Sequence, residues 1–314
     1  MSNVSERIAT LKAQLSDGVT PAMATPLVPG SHTVNTAVVP QLVDFLIERG
    51  VKGLFVGGTT GEGTQLDSDQ RRALHEAAVS SAAGRAPVLL HVGAQRTEAA
   101  VALARHAVTL RPAAIVAMTP TFYGMSDDAL ARYYQAIADA APDTPLFLYD
   151  IPQFAVNGIS PALLARLAGE LPSLAGLKTS RVDIQIVRQL IDALPPDRIL
   201  LAGNESAALA SLALGADGLI SGLSTAIPEP FVALTQAVAT GQLDEARAWQ
   251  RGINRLLAVL GGTRIGGIKA ILNQRGIPVG PPVPTLDASD APLWPRAAEI
   301  LGEYEIGISN QEHS

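Results

Sequence analysis

The segment Ser173-Leu174-Ala175-Gly176-Leu177-Lys178-Thr179-Ser180 reads as a short buried β-strand that ends on a lysine. An unpaired ammonium is expensive to bury, whereas an uncharged amine is a nucleophile that forms Schiff bases with carbonyl compounds. The plain alternative is a strand-end lysine whose amine reaches water past its own aliphatic stem. Two other segments weigh against that alternative. The run Gly57-Gly58-Thr59-Thr60-Gly61-Glu62-Gly63 is richer in glycine and threonine than a turn requires. Glycines let a backbone approach a ligand and aim successive N–H groups at an anion, and the Thr59 and Thr60 hydroxyls add donors suited to a small carboxylate. A phosphate is the other ligand such a loop could take, but the run lacks the Lys-Ser/Thr ending of a nucleotide-binding loop. Tyr149 falls near the end of another apolar run, Pro145–Asp150. Beside a reactive amine its phenol suits the proton transfers of imine formation; a barrel-lining tyrosine bonded to backbone is the equal alternative.

These residues need elements to hold them. From Gly18 to about Ser224, short apolar runs alternate with helical patterns. Strands are expected at Val19–Ala24, Val51–Gly57, Pro87–Val92, Ala113–Met118, Pro145–Asp150, Leu174–Thr179, Arg198–Ala202 and Gly218–Ser221. Helices are expected at Ala37–Arg49, Ser68–Ala83, Thr97–Leu110, Asp127–Ala140, Pro161–Ala168, Asp183–Ala193, Glu205–Leu214 and Pro228–Ala239, where apolar residues recur at helical spacing. Ser68, Thr97 and the Ser160-Pro161 pair signal helix starts, and Gly50, Gly84 and Gly215 signal ends. Strands that are mostly apolar throughout, each followed by a helix, indicate an α/β fold of the (β/α)8 TIM-barrel type; a doubly wound open sheet is the second choice.

The barrel is assigned to residues 18–240, after an N-terminal helical extension over residues 1–17. Further helices at Leu243–Val259, Ile268–Arg275 and Pro292–Leu301 are expected in a C-terminal segment, residues 241–314, packed on the barrel. Such barrels carry their active sites at the C-terminal ends of the strands. Lys178, Tyr149, the glycine-threonine run and Gly218-Leu219-Ile220-Ser221 then open onto one mouth. The run Gly261–Gly267 follows no strand, so a dinucleotide reading fails; it is taken as a flexible connection passing near that mouth.

Composition narrows the function. Of 314 residues, 47% are hydrophobic and 17% charged, as in packed enzymes. A net charge of −6 leaves no electrostatic footprint for nucleic acid, and no apolar run reaches the length of a membrane span. The lack of cysteine excludes disulfides, thiolate metal sites and a cysteine nucleophile. His32, His75, His91, His106 and His313 are scattered and point to no metal site; His75 and His106 fall within surface helix patterns and His91 ends a strand. With no signal-peptide core at the N-terminus, a soluble, cytoplasmic protein is expected, its partner a small molecule.

Together these segments resemble the dihydrodipicolinate synthase and N-acetylneuraminate lyase family of class I, Schiff-base aldolases, from about Gly18 to Gly276. The family's glycine-threonine-threonine-glycine-glutamate segment is matched by Gly58-Thr59-Thr60-Gly61-Glu62. Its tyrosine-asparagine-x-proline segment is matched by Tyr149-Asp150-Ile151-Pro152, and its glycine-x-lysine segment by Gly176-Leu177-Lys178. The resemblance implies a pyruvate-dependent lyase that needs neither metal nor cofactor. Lys178 would attack the keto carbon of pyruvate or of a 2-keto acid, Gly58, Thr59 and Thr60 would hold its carboxylate, and Tyr149 would shuttle protons. Ile220 would offer a backbone carbonyl near the bound pyruvate. A homotetramer, as a dimer of dimers, is implied as well.

Departures from the family pattern bear on the substrate. Synthases acting on aspartate semialdehyde carry an arginine two residues after the proline of the tyrosine segment, where it pairs the acceptor's carboxylate; here Pro152 is followed by Gln153 and Phe154. Arg181 and Arg264 are the candidates to replace it. The family's relay tyrosine from a neighbouring subunit corresponds to Phe122 in Thr119-Pro120-Thr121-Phe122-Tyr123, so either Tyr123 takes that role or the relay is shorter. Phe122 and Phe154 indicate a less polar acceptor pocket, with Ser180, Asn204, Glu205, Ser221 and Thr225 as candidates for a wall that reads hydroxyls. Asp150 and Thr179 face the helical layer by strand alternation. These features favour a 2-keto-3-deoxy sugar acid, cleaved to or formed from pyruvate and an aldehyde, over dihydrodipicolinate synthase activity. A dehydratase or hydratase-aldolase would use the same Schiff base. A keto-acid-binding sensor would have no need of the amine. A phosphate-binding isomerase would have only Glu62 as a base, and Glu62 is read as bracing its loop.

Overall fold

The computed structural model of the protein describes residues 3–311, with residues 305–311 described by backbone alone; His313 lies outside the described residues. Eight short strands form one parallel sheet: β1 (Val19–Pro21), β2 (Leu54–Val56), β3 (Val88–His91), β4 (Ala114–Met118), β5 (Leu146–Asp150), β6 (Leu174–Thr179), β7 (Ile199–Ala202) and β8 (Gly218–Ser221). Their order is β1-β8-β7-β6-β5-β4-β3-β2, and a parallel bridge between Ala22 and Phe55 joins the two ends, so the sheet is the expected barrel rather than an open sheet. Around it lie α1 (Val4–Leu15), α2 (Val39–Ile47), α3 (Ser68–Ala82), α4 (Thr97–Thr109), α5 (Asp127–Ala140), the single turn α6 (Pro152–Ala155), α7 (Pro161–Glu170), α8 (Ile184–Ala193), α9 (Ala208–Ala213) and α10 (Glu229–Ala239). The chain then continues through α11 (Leu243–Val259), α12 (Arg264–Gln274) and α13 (Leu293–Gln311). Among the described residues no single helix is long and apolar enough to cross a membrane.

Each strand sends alternate side chains to two separate cores. Leu54, Leu90, Leu148 and Leu177 point outward into the apolar stripes of the helices. Phe55, Leu89, Val116, Phe147 and Leu201 point inward and fill the barrel, where Ile8, Leu11 and Leu15 of α1 pack onto them. Arg7 donates to the Pro112 carbonyl, and Lys12 donates to the Arg198 carbonyl and pairs with Asp217, all at the entrances to strands. The first helix therefore plugs the end of the barrel opposite the mouth.

Several local signals read differently in three dimensions. Asp67, not Ser68, caps α3 by accepting from the Gln70 N–H, and α4 starts at Thr97 without a side-chain cap, whereas Ser160 caps α7 as its sequence indicates. The connection Gly261–Gly267 is not wholly flexible, because α12 already begins at Arg264; Gly266 lets that helix press against the Asp287 carbonyl, where a Cβ would collide. His75 is not a surface residue but fully buried; His106 does lie near the surface, 2.9 Å from the Glu76 carboxylate.

Strand β6 carries the irregularity on which the site rests. Its register against β5 shifts between Leu146, opposite Leu174, and Phe147, opposite Gly176, so Ala175 is an extra residue. Unbroken alternation would put Lys178 on the same face as Leu174, among the helices. The bulge resets the phase: Ala175 packs inside the barrel, Leu177 packs among the helices, and Lys178 turns in. Beyond it the register sets Tyr149 beside Lys178. The β6 and β7 backbones approach so closely here that a Cβ on Gly176 would collide with the Ile199 carbonyl. Gly176→Ala is therefore expected to lose about 2–3 kcal/mol in equilibrium denaturation. Gly169→Ala, where an added carbon meets nothing within 4 Å on α7, is expected to be neutral or stabilising by up to about 1 kcal/mol.

Candidate active site

Turned inward by the bulge, the Lys178 amine faces a cleft of about 310 Å³ at the C-terminal end of the barrel. Lys178 is 4% exposed, and its Nζ lies 3.7 Å from the Tyr149 ring centroid and 4.7 Å from that of Phe55. The buried acids around the mouth each have another cation: Asp150 pairs with Arg181, Glu205 with Arg264 and Glu62 with Lys269. The Tyr149 hydroxyl is buried and lies 3.0 Å from the Thr59 hydroxyl, which joins β5 to the loop after β2.

That loop folds back on itself. Gly57 and Glu62 take left-handed backbone (φ 72° and 56°), the Glu62 N–H donates to the Thr59 carbonyl (3.0 Å), and the Gly63 N–H donates to the Gly58 carbonyl (3.1 Å). The turn presents Thr59 and Thr60 to the cleft. Across from Thr60 the backbone passes at Gly222, where a Cβ would stand 2.6 Å from the Thr60 hydroxyl oxygen.

The structure gathers Lys178, Tyr149, Thr59, Thr60, Ile220, Phe154, Ser180 and Asn204 around this one cleft. Gly58, Ser221, Phe122, Tyr123 and Thr225, also named from sequence, do not line it. Gly58 sits under the edge of Phe55, where a Cβ would strike the ring, and its place is one of packing. The Ser221 hydroxyl is buried inside the wall, where it donates to Glu205 (2.8 Å). Phe122 and Tyr123 are 77% and 71% exposed and stack edge-to-face on each other, the left-handed Phe122 (φ 77°) carrying its loop away from this chain's own cleft. Thr225 is also withdrawn, accepting from the Ala24 N–H in the core.

Arg181 does not face an acceptor, because it donates to both Asp150 oxygens (2.8 and 3.2 Å) and to the Ile159 carbonyl. Asp150 faces the helices as alternation indicates, accepting also from the Thr179 hydroxyl and the Ile159 N–H (2.8 Å each). Glu205 is a strut in the wall, holding Ser221, the Leu223 N–H and Arg264 together. Sequence reasoning did not name Ala22, Val182 or Gly222 as lining residues, whereas the Gly261–Gly267 run, expected near the mouth, does bring Arg264 and Ile265 to the cleft. Val182 is a lone apolar residue in a polar run, and Ala22 and Gly222 are small residues beside strand ends that carry no side-chain signal of a site.

A wider comparison agrees with this geometry. The dihydrodipicolinate synthetase family matches residues 15–293. The chain belongs to this family. It is similar to a DapA-like lyase of Halobacterium salinarum (35% identical over 267 residues, covering 84% of this chain and 85% of the relative). It is also similar to the N-acetylneuraminate lyase of Mediterraneibacter gnavus (30% over 270 residues, 84% and 85%) and to a 4-hydroxy-tetrahydrodipicolinate synthase of Exiguobacterium (34% over 269 residues, 84% and 90%). Among solved structures, a Ruminococcus gnavus sialic acid aldolase superposes with a TM-score of 0.87 at 28% identity, over 94% of this chain and 99% of its own. Dihydrodipicolinate synthetase family enzymes are lyases of the Schiff-base, pyruvate-dependent aldolase type, and so is this one.

Behind the Tyr149 ring this family member stores a buried basic cluster. His91 meets Tyr149 and Phe55 edge-on, with centroids 6.1 Å from each, and Arg71 of α3 donates to the carbonyls of His91 (2.6 Å) and Gly93 (2.9 Å). Burial pushes Arg71 down to about 10. Burial, and then the Arg71 charge, push His75 down to about 3 and His91 well below its ordinary value. An unfolded histidine takes up its proton near pH 6.5, so below that pH the unfolded chain binds more protons than the native one. Stability is expected to be full above about pH 6.5 and to fall as the pH drops toward 3, by up to about 1.4 kcal/mol per pH unit for each such histidine. Urea denaturation from about pH 7 to about pH 4 measures this slope, and His75→Leu is expected to reduce it by about one proton's share.

Proposed function

We propose that this enzyme forms a Schiff base between Lys178 and pyruvate, or the pyruvate part of a larger 2-keto acid, and that its substrate is a 2-keto-3-deoxy sugar acid cleaved to, or built from, pyruvate and an aldehyde. The supporting observation is the Lys178 amine lying on the buried ring of Tyr149, whose hydroxyl bonds to Thr59. In the cleavage direction the amine adds to the keto carbon, and the carbinolamine loses water with a proton delivered by Tyr149, leaving a protonated imine. The C4 hydroxyl then gives its proton to the Tyr149 phenolate left by that step, the C3–C4 electron pair moves toward the iminium, and the aldehyde leaves. The enamine takes a proton at C3, and water returns to the imine carbon to release pyruvate and the free amine. Thr59 and Thr60 hold the carboxylate so that the keto carbon stays against the amine.

Phe154 and Val182 give the outer cleft an apolar side, while Ser180 and Asn204 offer polar groups to the substrate's hydroxyls. Assembly as a dimer of dimers belongs to the same proposal, supported by the outward-facing Phe122 and Tyr123, which a second copy would cover. One observation favours a second reading, the synthase reaction with aspartate semialdehyde. Arg264 lines the cleft with 49% of its side chain exposed and could meet an acceptor's carboxylate, as Arg181 does not.

Borohydride reduction in the presence of pyruvate is expected to leave an adduct on the Lys178 peptide, read by mass spectrometry and absent from Lys178→Ala. No adduct on folded protein at saturating pyruvate would overturn the mechanism. Tyr149→Phe is expected to slow turnover by about 10²–10⁴-fold without removing the cleft. Release of pyruvate from 2-keto-3-deoxy sugar acids, compared with condensation of pyruvate and aspartate semialdehyde, decides the substrate. Under the synthase reading Arg264→Leu raises KM for the semialdehyde and leaves that for pyruvate unchanged.

A further inference from the structure

We infer that the buried ion pair between Glu62 and Lys269 is a positioning device for the Thr59–Thr60 loop, through which α12 and the proline-rich segment after it set how tightly the cleft takes its keto acid. The inference rests on the reading of that loop as the carboxylate holder. Neither residue lines the cleft around Lys178, so neither touches substrate. Both side chains are shut away from water, at 0% exposure for Glu62 and 1% for Lys269. Two charges withdrawn from water persist only where their remaining bonding capacity is also met. Here the Lys269 amine lies 2.6 Å from one Glu62 oxygen and donates to the Pro281 carbonyl (3.0 Å), while the other Glu62 oxygen accepts from the Val283 N–H (2.6 Å). One carboxylate thus fastens together the loop after β2, helix α12 and the chain at Pro281–Val283.

The fastening point is close to the chemistry. Glu62 holds a left-handed backbone (φ 56°) that a glutamate rarely adopts. In that conformation its N–H donates to the Thr59 carbonyl, and its own carbonyl accepts from the Gln65 N–H. Thr59 in turn bonds Tyr149. A shift of the Glu62 carboxylate therefore passes through one backbone hydrogen bond to the residue that meets both the relay phenol and the substrate's carboxylate. The same helix brings Arg264 to the cleft, where it pairs with Glu205, so α12 meets the mouth at two points.

The test measures adduct formed by borohydride trapping as a function of pyruvate concentration. It is applied to the wild type, to Lys269→Met, to Lys269→Arg and to the double variant Glu62→Gln/Lys269→Met, with near-ultraviolet circular dichroism confirming the fold of each. The double variant leaves no lone charge buried and so keeps its fold. Its half-saturating pyruvate concentration is expected to rise about tenfold or more, while the adduct at saturation stays on Lys178 and within about twofold of wild type. Lys269→Met, which strands the Glu62 carboxylate, is expected to shift half-saturation at least as far, and Lys269→Arg, which keeps the charge, to return it toward wild type. A folded double variant with wild-type half-saturation would overturn the inference and leave the Schiff-base reading intact. Failure of the wild type itself to form an adduct would overturn that reading and this inference with it.

Discussion

Everything at the mouth of this barrel depends on which face of β6 its lysine takes, and a single extra residue settles the matter. A strand offers two faces only, so displacement by one position exchanges core for interior along its whole remaining length. The bulge at Ala175 makes that exchange between Leu174 and Lys178. The rest of the interior is arranged to accept the consequence. Phe55 and Tyr149 supply aromatic surface for the amine, His91 backs both rings, and α1 seals the far end so that the interior opens at the mouth.

Charge is distributed around that lysine with equal economy. Three acids lie within the walls of the mouth, and each is neutralised by an arginine or lysine from a different part of the chain. Asp150 with Arg181 ties the end of β5 to the loop after β6; Glu205 with Arg264 ties the turn after β7 to α12; Glu62 with Lys269 ties the loop after β2 to α12. Removing one member of a buried pair leaves an uncompensated charge, so such pairs hold loop geometry firmly even where their net contribution to stability is small. None of the three is shared with Lys178. The helices beyond the barrel are part of this arrangement, since both Arg264 and Lys269 stand on α12.

Much of this was legible in the chain before any coordinates. Short continuous apolar runs and helical spacing located every strand and most helices, because burial on one or both faces leaves its trace in local sequence. The strand ends at Lys178, Tyr149, Thr59 and Ile220 were legible for the same reason, and the barrel rule then brought them to one end. Ser221 was misplaced because strand position gives a side chain's address but neither its rotamer nor its partner, and Ser221 had Glu205 to bond; Phe122 and Tyr123, matched in sequence to a relay position served from a neighbouring subunit, lie on the outside of this chain. His75 looked like a surface residue because a polar side chain interrupts an apolar stripe identically whether it reaches solvent or is closed over by Arg71 and the barrel.

By itself, then, the sequence determined the alternation of strand and helix, the closed parallel barrel, the lysine-tyrosine-threonine set and the family. Tertiary structure alone decided the bulge that turns Lys178 inward, that Arg181 is consumed by Asp150 while Arg264 reaches the cleft, and that Lys269 lies against Glu62. The first group rests on periodic burial, which each segment records within itself. The second rests on backbone phase and on contacts between residues far apart in the chain, such as Glu62 and Val283. One inserted residue or one buried counter-charge reverses such outcomes without altering any local pattern.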